Sequence, residues 1–252
     1  VGVVQFNPKR GGPSERDANL TRLAALAEGA LREGAKLVVL PEMAASGYRF
    51  PDAGAVRPLA ERAAEGPTAS VFGPLAAAFS ARIVVGFPED AGDGRLFNSA
   101  LVLGPDGRVS HVYRKRLLYT DDHTWAAPGD TPYPVFPTGF PAPFDEAAVG
   151  ICMDLNDDRF TAWLGRRRPG VLCFPTNWID QGLEIHGYWA WRLRGWAGLL
   201  LAADRWGSED GVGFWGRSAI LDMGRRPGDR PTLAASAPAE GDGWLVLPQG
   251  RH

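Results

Sequence analysis

The chain has 252 residues, of which 45% are hydrophobic and 22% charged, a balance that suits a folded domain with a real core and excludes disorder or a coiled coil. Lys and Arg number 27 against 29 Asp and Glu, a formal net charge of −2, so no global basic field gathers nucleic acid or anionic lipid. No apolar stretch approaches the about 20 residues that span a bilayer; the longest candidate, Leu199 to Ala203, is of strand length. With two cysteines, Cys152 and Cys173, and no C-x-x-C or Cys/His ligand pair, neither a disulfide framework nor a metal site is expected. No signal-peptide pattern accompanies the opening Val1 to Phe6, and a reducing cytoplasmic setting is the expectation.

In chain order, Val1 to Phe6 alternates as a strand, and Leu20, Leu23, Ala24, Ala27, Ala30 and Leu31 recur at helical spacing within Asp17 to Glu33, with Gly34 as the C-terminal stop. The continuous apolar run Leu37 to Leu40 predicts a strand covered on both faces. Val71, Leu75 and Phe79 mark a second helix leading to the strand Ile83 to Gly86. Ser99 to Leu103 and Val109 to Tyr113 flank Gly104-Pro105-Asp106-Gly107 as a hairpin. The Pro-rich stretch Pro128 to Pro143 is the longest irregular segment and a candidate pocket wall.

The alternation then repeats: strand Ala147 to Ile151, helix Phe160 to Gly165, strand Val171 to Phe174 and an aromatic-rich helix from about Ile185. Strands at Leu199 to Ala203, Ser218 to Asp222 and Gly243 to Leu247 follow. No linker, repeat or composition break divides the chain, so residues 1–252 are expected to form one α/β domain.

Three chemically distinct groups stand at strand ends, where α/β sheets collect ligands. Cys152 follows Ala147 to Ile151; it reads either as a buried small hydrophobe or as a thiol presented at a turn. Glu42 follows Leu37 to Pro41 and reads either as a helix-capping carboxylate or as a partly desolvated general base. Lys115 closes Val109 to Tyr113 within Tyr113-Arg114-Lys115-Arg116, a solvated basic cluster taken alone. Together they suggest a base, a cation and a nucleophile: the carboxylate takes the thiol proton, and the ammonium stabilises the thiolate and then the oxyanion. No metal or cofactor is needed for that chemistry.

Leu40-Pro41-Glu42-Met43 with Gly47-Tyr48, then Tyr113-Arg114-Lys115, then Gly150-Ile151-Cys152-Met153-Asp154 resemble the three signature regions of the nitrilase, or carbon-nitrogen hydrolase, superfamily in order and separation. Phe97-Asn98-Ser99-Ala100, Pro128-Gly129-Asp130, Pro175-Thr176-Asn177-Trp178 and Gly216-Arg217-Ser218 add supporting matches, so the resemblance covers nearly the whole chain. It implies a four-layer α-β-β-α sandwich, paired into homodimers or larger homo-oligomers through its helical layers. It also implies Glu42 as base, Lys115 as oxyanion-stabilising cation, Cys152 as nucleophile and the Met153 backbone N–H as the second oxyanion donor. Leu118 to Ala126 and Gly150 to Asn156 further resemble the branch containing protein N-terminal asparagine/glutamine amidohydrolases, beside the aliphatic amidases. The implied partner is a small-molecule amide or the N-terminal amide side chain of a peptide, with Tyr48, Trp125 and Trp178 as pocket walls and Asp154 as a polar contact.

The chain departs from that pattern in places. Many members carry a second glutamate between the lysine and cysteine regions, whereas no glutamate occurs here from Lys115 until Glu146; Asp122 or His123 stands in its place. Asn156 replaces a frequent arginine four residues after the cysteine, and Asp204 a frequent asparagine.

Other classes are poorly supplied. A Ser-His-Asp or Cys-His hydrolase would draw on His111, His123, His186 and His252 alone, without a G-x-S-x-G elbow. Gly211 to Gly216 matches G-x-G-x-x-G but leads into a strand-like segment rather than a helix. The remaining alternatives are a catalytically silent scaffold of the same fold and a nitrile or N-carbamoyl hydrolase of the same superfamily.

Overall fold

A computed structural model describes residues 1–248; His252 lies outside them. The elements run β1 (Gly2–Gln5), α1 (Pro13–Arg32), β2 (Leu37–Val39), α2 (Ala53–Val56), α3 (Pro67–Phe79), β3 (Arg82–Asp90), β4 (Leu96–Leu103) and β5 (Val109–Arg114). The second half supplies β6 (Val135–Pro137), β7 (Glu146–Val149), α4 (Asp158–Arg167), β8 (Val171–Thr176), α5 (Ile185–Arg192) and β9 (Leu199–Asp204). The chain then forms β10 (Trp206–Glu209), β11 (Val212–Trp215), β12 (Ala219–Asp222), β13 (Thr232–Ser236) and β14 (Gly243–Val246). Short 3-10 turns occupy Asp122–Thr124 and Cys152–Asn156.

Two six-stranded sheets result, in the orders β14-β1-β2-β3-β4-β5 and β13-β12-β9-β8-β7-β6. The pairs β1–β2 and β2–β3 are parallel in the first, and β7–β8 and β8–β9 in the second. Their apolar runs follow from burial on both faces. Val3, Val39 and Val84 meet Val149, Cys173 and Leu201 between the sheets, while their neighbours Val4, Val38 and Ile83 pack under Leu20, Leu23 and Phe72 of α1 and α3. On the far side Ala148, Leu172 and Leu200 pack beneath Phe160, Leu164 and Trp189 of α4 and α5. The period of two along each strand therefore feeds two cores at once, and the four layers stack as α-β-β-α.

The Pro-rich stretch contains β6, paired antiparallel with β7, and does not wall the cavity at Cys152. Its Phe140 and Pro141 line another cavity, of about 250 Å³, beside Leu199 at the opposite ends of the strands. Gly129 donates its N–H to the Lys115 carbonyl at 2.8 Å, so the stretch braces the lysine from behind. The glycine motif at 211–216 falls on β11 of an antiparallel β10–β11 hairpin, and no helix opens there to receive a phosphate.

Candidate active site

The parallel strands bring their C-terminal ends to one edge of the sandwich, and the site is assembled from them. Glu42 follows β2, Lys115 follows β5, Cys152 follows β7 and Asn177 follows β8. The first two belong to one sheet and the last two to the other.

Glu42 is completely enclosed. Its Oε1 accepts from Lys115 Nζ at 2.7 Å and from Asn98 Nδ2 at 2.7 Å, and its Oε2 accepts from the Asn177 N–H at 3.0 Å. Lys115 Nζ donates its second bond to Asp122 Oδ2 at 2.6 Å, and Asp122 also accepts from Asn98 Nδ2 at 3.0 Å and the Tyr119 N–H at 2.9 Å. The Lys115, Glu42 and Asp122 side chains are all 0% exposed. Burial alone would drive the lysine proton off, but the two carboxylates outweigh it and hold the ammonium well above its ordinary range. Burial raises the Glu42 carboxyl, and Asp122 adds to that push, against the lowering by Lys115.

Cys152 opens its 3-10 turn at φ +42°, the left-handed region that non-glycine residues rarely occupy. The kink turns the thiol out of the strand direction. Cys152 stays only 7% exposed, yet it lines a cavity of about 330 Å³ walled by Tyr48, Tyr119, Trp178 and Tyr188. Burial pushes its thiol up, as does the charge of Glu42, while Lys115 pulls it down.

Asp154 has a different location from the pocket contact expected of it. It is 0% exposed, and its two oxygens accept from four donors: Tyr113 Oη at 2.8 Å and the N–H groups of Ile151 at 2.9 Å, Leu117 at 2.9 Å and Arg116 at 3.1 Å. It joins the cysteine turn of one sheet to the lysine loop of the other, leaving no lone pair aimed at the cavity. Trp125 likewise stands behind the wall, edge-on to Phe50 at 6.3 Å between ring centroids. His123 is exposed on the outer surface, and Asp122 is the residue of that turn brought to Lys115. Tyr48 and Trp178 do line the cavity.

Several contributors carry no role in the sequence reading. Asn98 bridges the two carboxylates; its signal is a polar amide in the largely apolar, fully buried β4, which must find partners inside. Glu209, far along the chain, accepts from the Tyr48 N–H at 3.2 Å and the Arg49 N–H at 2.8 Å while paired with the buried Arg205. It pins the loop after Glu42 to the β10–β11 hairpin. Among the described residues no group of three or more His, Cys, Asp and Glu is placed to hold a metal, and no helix is long and apolar enough to cross a membrane.

The carbon-nitrogen hydrolase family matches residues 1–226. A protein N-terminal amidase of Schizosaccharomyces pombe is 27% identical over 266 residues, covering 88% of this chain and 90% of that protein. A nitrilase of Pyrococcus abyssi is 32% identical over 229 residues, covering 87% and 80%. Among solved structures, an N-terminal amidase with an Asn-Glu-Ala peptide superposes with a TM-score of 0.83 at 17% identity, covering 97% of this chain and 96% of that one. The NitN amidase of Nesterenkonia sp. AN1 does so at 0.77 and 21%, covering 98% and 92%. The structural likenesses establish the α-β-β-α fold, and the family match over most of its length establishes that this chain belongs to the carbon-nitrogen hydrolases, enzymes that cleave carbon–nitrogen bonds other than peptide bonds.

Proposed function

We propose that the protein is a thiol amidase that releases ammonia from a carboxamide through a Cys152 thioester, with Glu42 as general base and Lys115 as oxyanion partner. The observation that carries this reading is that Cys152 lines the cavity at one strand end while Glu42 and Lys115 form a fully buried ion pair at 2.7 Å at neighbouring strand ends. Glu42 takes the thiol proton as sulfur attacks the amide carbon, and the tetrahedral oxyanion is held by Lys115 and the Met153 N–H. Ammonia leaves with a proton returned by Glu42. The same carboxylate then deprotonates a water molecule, which attacks the thioester to release the acid and restore the thiol.

Candidate substrates are a small-molecule amide or the N-terminal amide side chain of a peptide, in keeping with the names of the similar amidases. A cytoplasmic homodimer or larger homo-oligomer belongs to the same proposal. Ammonia release from a panel of amides, nitriles, N-carbamoyl compounds and peptides with N-terminal Asn or Gln tests it. Cys152→Ala should abolish release with the fold retained, and Lys115→Met should lower it by roughly 10²- to 10³-fold or more. Turnover confined to nitriles or carbamoyl compounds would move the activity within the superfamily. Silence of the folded protein on every compound would leave the scaffold alternative.

A further inference from the structure

The charges around the cavity restrict which amides it can accept, an inference that rests on the cavity being the substrate site of the amidase proposed above. Its lining is aromatic and aliphatic, interrupted by the uncharged amides of Asn156, Asn177 and Gln181. Among the described residues that line it, Glu184 is the one Asp, Glu, Lys or Arg. Lys115, the ammonium assigned above to the reacting carbonyl, is already shared between Glu42 and Asp122 at 2.7 and 2.6 Å and is 0% exposed. Two carboxyl groups and one ammonium therefore underlie the reacting end, and a further carboxylate stands at the mouth.

The positive end of α5 provides no compensation. Glu184 is its N-cap residue, and its own carboxylate accepts from the His186 N–H at 2.9 Å and the Gly187 N–H at 2.7 Å. The amides that would otherwise attract an anion are thus satisfied from within the chain. The Glu184 side chain remains 65% exposed, with Oε1 also 3.2 Å from His186 Nδ1, and its exposed side is where a substrate ammonium would meet it. Beside it Trp178 and Tyr188 present rings 5.8 Å apart at 54°, and ring faces attract cations and repel anions.

We infer that the site takes carboxamides whose far end is uncharged or bears an ammonium, and rejects those whose far end is a carboxylate. A substrate carboxylate would be desolvated in an apolar cavity with no cation to meet it and with like charges at floor and mouth, the arrangement that discriminates most strongly between charged ligands. An ammonium would find Glu184 and the rings.

Three amides of matched length test this: glutaramate, pentanamide and 5-aminopentanamide. Binding is measured by calorimetry on the full-length Cys152→Ala protein, so the result does not depend on turnover. The expected outcome is that glutaramate binds at least about 30-fold more weakly than either of the others, the scale of like-charge rejection. Glu184→Gln, which keeps an acceptor oxygen for the helix, should lower the ratio of 5-aminopentanamide to pentanamide affinity several-fold. Glutaramate binding within threefold of pentanamide overturns the inference, as does failure of all three to bind at millimolar concentration. Ammonia release by the unmodified protein is followed separately: the expected binding order with no release from any of the three amides would count against the amidase proposal and leave the charge preference standing.

Discussion

The ammonium of Lys115 lies 2.6 Å from the carboxylate of Asp122, with neither side chain exposed. Asp122→Asn removes one of the two counter-charges that keep the lysine protonated. Turnover is expected to fall by about 10²-fold, and unfolding free energy by about 3–5 kcal/mol, the usual cost of breaking a buried ion pair from one side. His123→Ala, on the exposed neighbour, should change stability by no more than about 0.5 kcal/mol and leave turnover as it was. Ammonia release and thermal unfolding of the two variants side by side check both statements, and equal losses would refute the distinction.

Gly86 controls the placement of Glu42. A Cβ there would stand 2.6 Å from Glu42 Cα and 2.7 Å from both Met43 N and the Pro41 carbonyl, all backbone atoms that cannot swing aside. The segment is also held by the Ala44 N–H, which donates to the Gly86 carbonyl at 3.0 Å. Gly86→Ala should push the carboxylate off its position and reduce kcat by about 10- to 100-fold, since a displacement of the order of 1 Å is enough. Comparison of kcat with circular dichroism separates this from unfolding: a folded variant with full kcat would exclude the constraint.

Asp154 acts as a structural clasp. With four donors converging on it, Asp154→Asn turns one acceptor oxygen into an NH₂ group facing a donor, and a loss of about 2–4 kcal/mol is expected from the disrupted buried bonds. Urea denaturation gives the midpoint. A variant with unchanged stability and a raised KM would indicate instead that the side chain meets the substrate.

The raised Glu42 carboxyl sets opposing pH dependences. Its folded proton affinity exceeds that of an unfolded glutamate, about 4.3, so between the two values the folded chain holds more protons. The corresponding stability is fully present below the unfolded value and is lost as pH rises through the folded one. Activity moves the other way, because a base must be ionised: kcat/KM should climb as pH rises through the same interval. Glu42→Gln should reduce the stability slope, with the remainder carried by the other raised carboxyls of Glu61, Asp154 and Asp204, as seen by denaturant midpoints across pH 4 to 8.

The legible parts of the fold were those where burial leaves an apolar signature. Leu37 to Leu40, Val171 to Phe174 and Leu199 to Ala203 are continuous because helices cover one face and the opposite sheet the other. β13, Thr232–Ser236, is largely exposed and carries no such pattern; it is a strand because β12 offers it an edge. β6 hides among prolines for the same reason, and β10 and β11 are interrupted by glycine. At the site, motif spacing placed Glu42, Lys115 and Cys152 at strand ends, but the choice between Asp122 and His123 is made by a 3-10 turn, which sends adjacent side chains roughly 120° apart. Asp154 and Trp125 pack behind the cavity rather than lining it, because a motif records which residues cluster, not which of them face the opening.

Glu42 and Lys115 belong to one sheet and Cys152 to the other, while β14, late in the sequence, completes the first sheet beside β1. The thiol proposed as nucleophile and the groups proposed to arm it thus reside in separate halves that no single hairpin joins. On the proposed mechanism a half-assembled chain carries an ordinary cysteine, and the nucleophile comes into existence when the two sheets close on each other. Turnover is then a readout of that closure, lost when the halves slip even while each keeps its strands.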